Sequence, residues 1–167
     1  WNAENGRCKR VLRGHIGIVY CVIERRNGDL VSVSWDGTIR VWDAESGACQ
    51  LIVEGEQEVY CVIERRNGNI VSASKDTTIR VWDVESGACK YILLGHTKPV
   101  NAVIERRNGN LVSASSDGTI RVWDAENDRC KCVLKGHEGG VKSVIECSNG
   151  NLVSTSEDGT IRVWDAE

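Results

Sequence analysis

Short apolar runs rich in β-branched residues alternate along this chain with small polar clusters, and the order repeats. In the first copy Val19 to Glu24 is followed by Asn27-Gly28 and then by Leu30 to Ser34. Two strands joined by a tight turn are expected, because Asn and Gly tolerate the positive φ of a two-residue hairpin loop. The same dipeptide returns as Asn67-Gly68, Asn108-Gly109 and Asn149-Gly150. A second turn signal stands at Asp36-Gly37, Asp117-Gly118 and Asp158-Gly159, with Asp76-Thr77 as the exception, and it opens a third run, Thr-Ile-Arg-Val-Trp-Asp. A polar turn such as Glu45-Ser46-Gly47 leads to a fourth run, Cys49 to Val53. Four strands per unit are predicted. No segment sustains a helical period, and the single proline, Pro99, falls in a connection, so the fold is all-β. Apolar residues on both faces of one run, Val19, Cys21 and Ile23 against Val22, require sheets covered on two sides.

The Trp-Asp dipeptide marks the period, at Trp42, Trp82, Trp123 and Trp164, in steps of 40, 41 and 41 residues. A unit of that size buries too little to fold alone, so the units must stack. The chain is read as one domain, residues 1–167, with repeats at about 1–41, 42–81, 82–122 and 123–163. Trp1 repeats the tryptophan position a fifth time. A strand within residues 6–14 then precedes the first full unit, while the last unit stops at its third strand, Thr160 to Trp164.

Gly14-His15, the strand pairs, Asp36 and Trp42-Asp43 stand in an order and spacing that resembles a blade of the WD-repeat β-propeller family. The resemblance implies four-stranded antiparallel blades, four per chain, and a hydrogen-bonded network in each. The matching residues are His15, Ser32, Asp36 and Trp42, then His96, Ser113, Asp117 and Trp123, then His137, Ser154, Asp158 and Trp164. The second copy has Gly55-Glu56 in place of Gly-His, leaving Ser72, Asp76 and Trp82 and an incomplete network. Family members resemble rings of seven or eight blades. A homodimer is therefore expected, two half-rings making eight blades, with the residue 6–14 strand completing the last blade of its partner. A larger ring, closure of four blades within one chain, or a fragment of a longer chain are the alternatives.

Ser, His and Asp in one unit also raise hydrolysis, since a carboxylate-held imidazole activates a hydroxyl. Repetition of the set, a tryptophan in each and the lack of a Gly-x-Ser-x-Gly elbow argue for a structural, non-enzymatic role. The units differ in two places. One is the residue before the turn aspartate: Trp35, Lys75, Ser116 and Glu157. The other is the approach to the first strand: Ile18 and Tyr20, Glu58 and Tyr60, Pro99 and Asn101, and Lys142. The resemblance implies that both open onto the top face, where a protein or peptide docks, with Trp35, Tyr20 and Tyr60 as its anchors. A structural or engineered assembly without a dedicated ligand is the rival reading. Glu-Arg-Arg recurs at Glu24 to Arg26, Glu64 to Arg66 and Glu105 to Arg107, and gives way to Glu146-Cys147-Ser148; surface ion pairing is its expected role.

Charge narrows the partners. A formal charge of -3 and a pI near 5.7 give no electrostatic basis for nucleic acid or anionic membranes. No run approaches the apolar length of a membrane span, and a chain without Met that begins at Trp1 fits a soluble fragment. Six of the eight cysteines recur in register: Cys8, Cys49, Cys89 and Cys130 in one slot, Cys21 and Cys61 in another. Same-slot residues are expected one unit apart, beyond disulfide reach, so the cysteines are read as buried free thiols in a reducing, cytoplasmic compartment. Cys130 and Cys132 lack partners for zinc, and no metal or cofactor is expected.

Overall fold

The computed structural model describes residues 6–55, 57–124, 127 and 129–165. Trp1 and Glu56 lie outside the described residues. The first antiparallel sheet runs in chain order through β1 (Val19–Glu24), β2 (Leu30–Ser34), β3 (Thr38–Trp42) and β4 (Cys49–Glu54). The second contains β5 (Val59–Glu64), β6 (Ile70–Ser74), β7 (Ile79–Trp82) and β8 (Cys89–Leu93). The third contains β9 (Val100–Glu105), β10 (Leu111–Ser115), β11 (Thr119–Trp123) and β12 (Cys130–Lys135). The last has three strands, β13 (Val141–Glu146), β14 (Leu152–Ser156) and β15 (Ile161–Trp164). These sheets are called blades 1 to 4 below.

The turns differ from the expected two-residue form. At Asn27-Gly28 the Gly28 N–H donates to the Arg25 carbonyl at 2.9 Å, and only Gly28 has positive φ, at 91°. That is a type I turn closed by a glycine in the left-handed region, which supplies the twist with one special residue instead of two. The aspartate turn is built alike: Gly37, at φ 78°, donates to Ser34 at 3.2 Å. Thr77 holds the same position in blade 2 at φ 75°, and among the described residues no other non-glycine has positive φ.

Each core lies between blades. Val31, Val33, Ile39 and Val41 of blade 1 pack on Val59, Val62, Ile70 and Trp82 of blade 2. Blades 2 and 3 repeat this with Val71, Ala73, Ile79 and Val81 against Val100, Val103, Leu111 and Trp123. Blades 3 and 4 do so once more. The two outer faces of the array have no such cover. Val22 is 59% exposed where its counterpart Val62 is 1%, and Ile161 is 70% exposed where Ile79 is 0%.

Among the described residues, 6–15 form no strand and β15 has no fourth strand beside it. Without a facing edge the predicted residue 6–14 strand has no ladder to join. It is nonetheless seated as an outer strand would be: Arg10 and Leu12 lie over Gly47 as Leu51 and Val53 lie over Gly87.

The cysteines correct the sequence reading. Cys8, Cys49, Cys89, Cys130 and Cys132 are exposed, because the slot opens the outermost strand, beyond which nothing packs. Cys21 and Cys61 are free thiols, yet they interact: innermost strands converge, and the contact lowers the Cys21 thiol and raises Cys61.

Candidate functional site

In blade 3 the strands bring four side chains into one line. The Trp123 indole N–H donates to Ser113 Oγ at 2.9 Å, Ser113 meets His96 Nε2 at 2.7 Å, and His96 Nδ1 meets Asp117 Oδ2 at 2.7 Å. The carboxylate only accepts, so a neutral His96 donates from Nδ1 to it, and its Nε2 accepts from the Ser113 hydroxyl, whose oxygen accepts from the indole. Asp117 also accepts from the Thr119 hydroxyl at 2.7 Å and from the backbone N–H groups of Thr119 and Thr97. Burial would raise Asp117, but the Thr119 hydroxyl, His96 and the two amides outweigh it and hold the carboxyl at about 2. Burial also lowers His96, against the pull of Asp117.

Blades 1 and 4 repeat the line. His15 reaches Ser32 at 2.7 Å and Asp36 at 2.9 Å, with Trp42 on Ser32 at 2.8 Å; His137 reaches Ser154 at 2.8 Å and Asp158 at 2.7 Å, with Trp164 on Ser154 at 2.8 Å. The connectivity matches a hydrolytic triad. However, the serines are buried and each is already engaged by an indole, so no reacting carbonyl can approach.

Blade 2 keeps Trp82 on Ser72 at 2.8 Å and the Thr78 hydroxyl on Asp76 at 2.6 Å. In place of a histidine, Arg80 turns its guanidinium onto Asp76 Oδ2 at 2.9 Å. The network lacks its histidine link as expected, but its aspartate is answered from its own third strand. Sequence comparison missed this because the arginine occurs in every copy; in blades 1, 3 and 4 the same residue lies beneath Gly14, Gly95 and Gly136. The threonine after each aspartate turn was likewise passed over, although its recurrence was visible.

The two variable places prove to be one. A backbone hydrogen bond joins them in every blade: Trp35 N–H to the Ile18 carbonyl, Lys75 to Glu58, Ser116 to Pro99 and Glu157 to Gly140, at 2.8 to 2.9 Å. The first strand carries a bulge at the same point, and its extra residue is Tyr20, Tyr60, Asn101 or Lys142. A bulge bends the strand and re-aims the side chain.

Around Glu58 the side chains converge. Lys75 Nζ donates to Oε1 at 2.8 Å, the Tyr60 hydroxyl donates to Oε2 at 2.9 Å, and Tyr20 packs edge-on to Tyr60 with centroids 5.1 Å apart. Lys75 chiefly, then Tyr60 and the Trp35 indole, hold Glu58 below the usual carboxylate range against the opposing effect of burial. Tyr60 is pushed up to about 12, first by burial and then by its bond to Glu58. Trp35, 55% exposed, and Tyr20, 43% exposed, border this group, and Trp35, Gln57, Glu58 and Lys75 line an open cleft. Blades 3 and 4 are polar at the same level: Asn101 bonds Ser116 at 3.0 Å and the Val141 carbonyl at 2.7 Å, and Lys142 pairs with Glu157 at 2.7 Å. Ile18 stands apart, exposed on the open face of blade 1.

At the opposite end the arginines form a ladder from blade to blade. Arg25 meets Glu64 at 3.2 Å, Arg65 meets Glu105 at 3.3 Å and Arg106 meets Glu146 at 3.0 Å. The next residue donates its backbone N–H to the same carboxylate, and its guanidinium reaches a carbonyl of the following blade: Arg26 on Arg66, Arg107 on Ser148. Among the described residues no group of three or more His, Cys, Asp or Glu is placed to hold a metal, and no helix is long and apolar enough to cross a membrane.

A family model described as WD domain, G-beta repeat matches residues 6–43, 47–83, 87–124 and 128–165. A solved structure of U3-55K superposes with a TM-score of 0.85 at 26% identity, covering 93% of this chain and 51% of that one. The crystal structure of the computationally designed Ika4 protein superposes at 0.83 with 32% identity, covering 94% of this chain and 96% of that one. THO complex subunit 6 of Arabidopsis thaliana is 32% identical over 59 residues, which is 35% of this chain and 16% of that protein. This chain spans about half the length of the U3-55K chain and a small part of the curated relatives it matches.

Proposed function

We propose that this chain, which belongs to the WD domain, G-beta repeat family, is a non-catalytic platform that docks a protein or peptide on its top face. The observation that carries the reading is the meeting of Tyr20, Trp35, Tyr60 and Lys75 around Glu58, with Trp35 and Tyr20 left open to solvent beside a cleft. Large aromatics held by a rigid frame offer contact area at little entropic cost. Peptides selected from a displayed random library on the native protein should lose at least about ten-fold in affinity in Trp35→Ala and less in Tyr20→Ala, with melting unchanged. Selected peptides that bind both variants as well as the parent would sink the reading.

The assembly proposed for the 167-residue chain is a homodimeric ring of eight blades. Its support is the seat of Arg10 and Leu12 over Gly47, which repeats the interblade contact of Leu51 and Val53 over Gly87. Light scattering should give twice 18.4 kDa; a mass of 18.4 kDa at all concentrations rules it out. The likeness to a designed protein over nearly the full length of both chains favours a second reading, a repeat assembly with no dedicated ligand. A dimer that selects no peptide would be its signature.

A further inference from the structure

Three junctions inside the chain and the one that would close the ring are built from the same slots, and the closing one departs from the others in a consistent direction. Inside, the arginine pair of one blade clamps the glutamate of the next, so that Glu64, Glu105 and Glu146 each accept from a guanidinium and from a backbone N–H. At the closing junction the donors come from blade 4, where Cys147 and Ser148 replace the arginines, and the acceptor is Glu24.

One apolar slot changes as well: Thr155 stands where Val33, Ala73 and Ala114 are fully buried. Val153, Ile161, Val163, Val19 and Val22 keep the apolar character of the junction. We infer that the closing junction is a weakened copy of the internal ones, its charged clamp absent and its apolar face partly polar, so that two copies of this chain associate reversibly there. The inference rests on the two-copy reading above and adds which residues set its strength.

The physical reasoning concerns water. Internal junctions never face solvent once the chain folds, so they can be fully apolar and clamped. A face that opens must tolerate exposure, and the Thr155 hydroxyl within the apolar patch lowers the cost of doing so. Removing the arginines forfeits charge-assisted bonds that the partner's Glu24 would otherwise accept.

The test restores the internal pattern. In Cys147→Arg/Ser148→Arg the dimer Kd, followed by sedimentation across a dilution series, should fall by about ten-fold at low salt, and the gain should shrink at high salt. A control, Arg106→Cys/Arg107→Ser, moves the gap to an internal junction; it should lower the thermal midpoint and leave the dimer Kd within about two-fold. A dimer whose Kd is unmoved by the arginines overturns this inference while leaving the assembly intact. A chain that stays monomeric with and without them overturns the assembly itself.

Discussion

Blades 2 and 3 share almost the same strand sequences and solve one problem in two ways. Both must satisfy a half-buried aspartate beneath the top face. Blade 3 uses His96, which links Asp117 through Ser113 to the indole of Trp123. Blade 2 lacks the histidine, and Arg80 answers Asp76 by charge, while the Trp82 indole keeps its bond to Ser72. Among the described residues one blade has a continuous relay and the other these two pairs. A buried polar group therefore needs a partner more than it needs a particular one.

The largest expected effect breaks the continuous side of the comparison. His96→Ala leaves Ser113 and Asp117 buried with one partner fewer each, and should cost about 2 to 4 kcal/mol in denaturant unfolding. Next, Arg80→Met removes the charge that answers Asp76 and should cost about 1 to 2 kcal/mol. Arg121→Met, in a blade whose aspartate has its histidine, should cost clearly less. Equal losses would show that Arg80 acts by packing alone.

Thr77 offers a smaller test in the opposite direction. A β-branched residue at φ 75° is strained, so Thr77→Gly should stabilise by about 1 kcal/mol despite the looser unfolded chain, and Gly118→Thr should destabilise by a similar amount. The pH dependence is the finest probe. His96 is held neutral in the fold, whereas in the unfolded chain it takes a proton near the ordinary pH of about 6.5. Its folded value is depressed, so its contribution is complete above that pH and is lost as pH falls below it. Asp117, also depressed, loses its share only in stronger acid, between the ordinary aspartate value of about 3.9 and its own of about 2. Denaturant midpoints at pH 7.5 and 5 should differ in the parent and converge in His96→Gln; an undiminished difference in that variant would assign the titration elsewhere.

Most of the architecture was legible because turn chemistry and apolar alternation recur in register. Asn-Gly and Asp-Gly located the hairpins, though not their turn type, since one left-handed glycine after a type I turn uses the same residues as a two-residue loop. The network membership of His96, Ser113, Asp117 and Trp123 followed from the resemblance to the WD-repeat family, whose motif positions these residues occupy. Arg80 did not, because a residue present in every copy carries no mark of the one blade in which it turns. The cysteines misled because the first residue of the outermost strand reads as apolar and strand-borne, while its exposure depends on the absence of a further layer. The variable residues were visible as differences, but their convergence on Glu58 needed the bulge, which leaves no trace in the pattern.

That bulge separates what the array displays from what holds it up. Because Tyr20, Tyr60, Asn101 and Lys142 are each skipped by the strand ladder, exchanging one changes neither register nor core. Copying a blade thus duplicates a frame together with a position at which the copies can diverge independently. A surface assembled this way can acquire a new specificity one residue at a time, without passing through an unfolded ancestor.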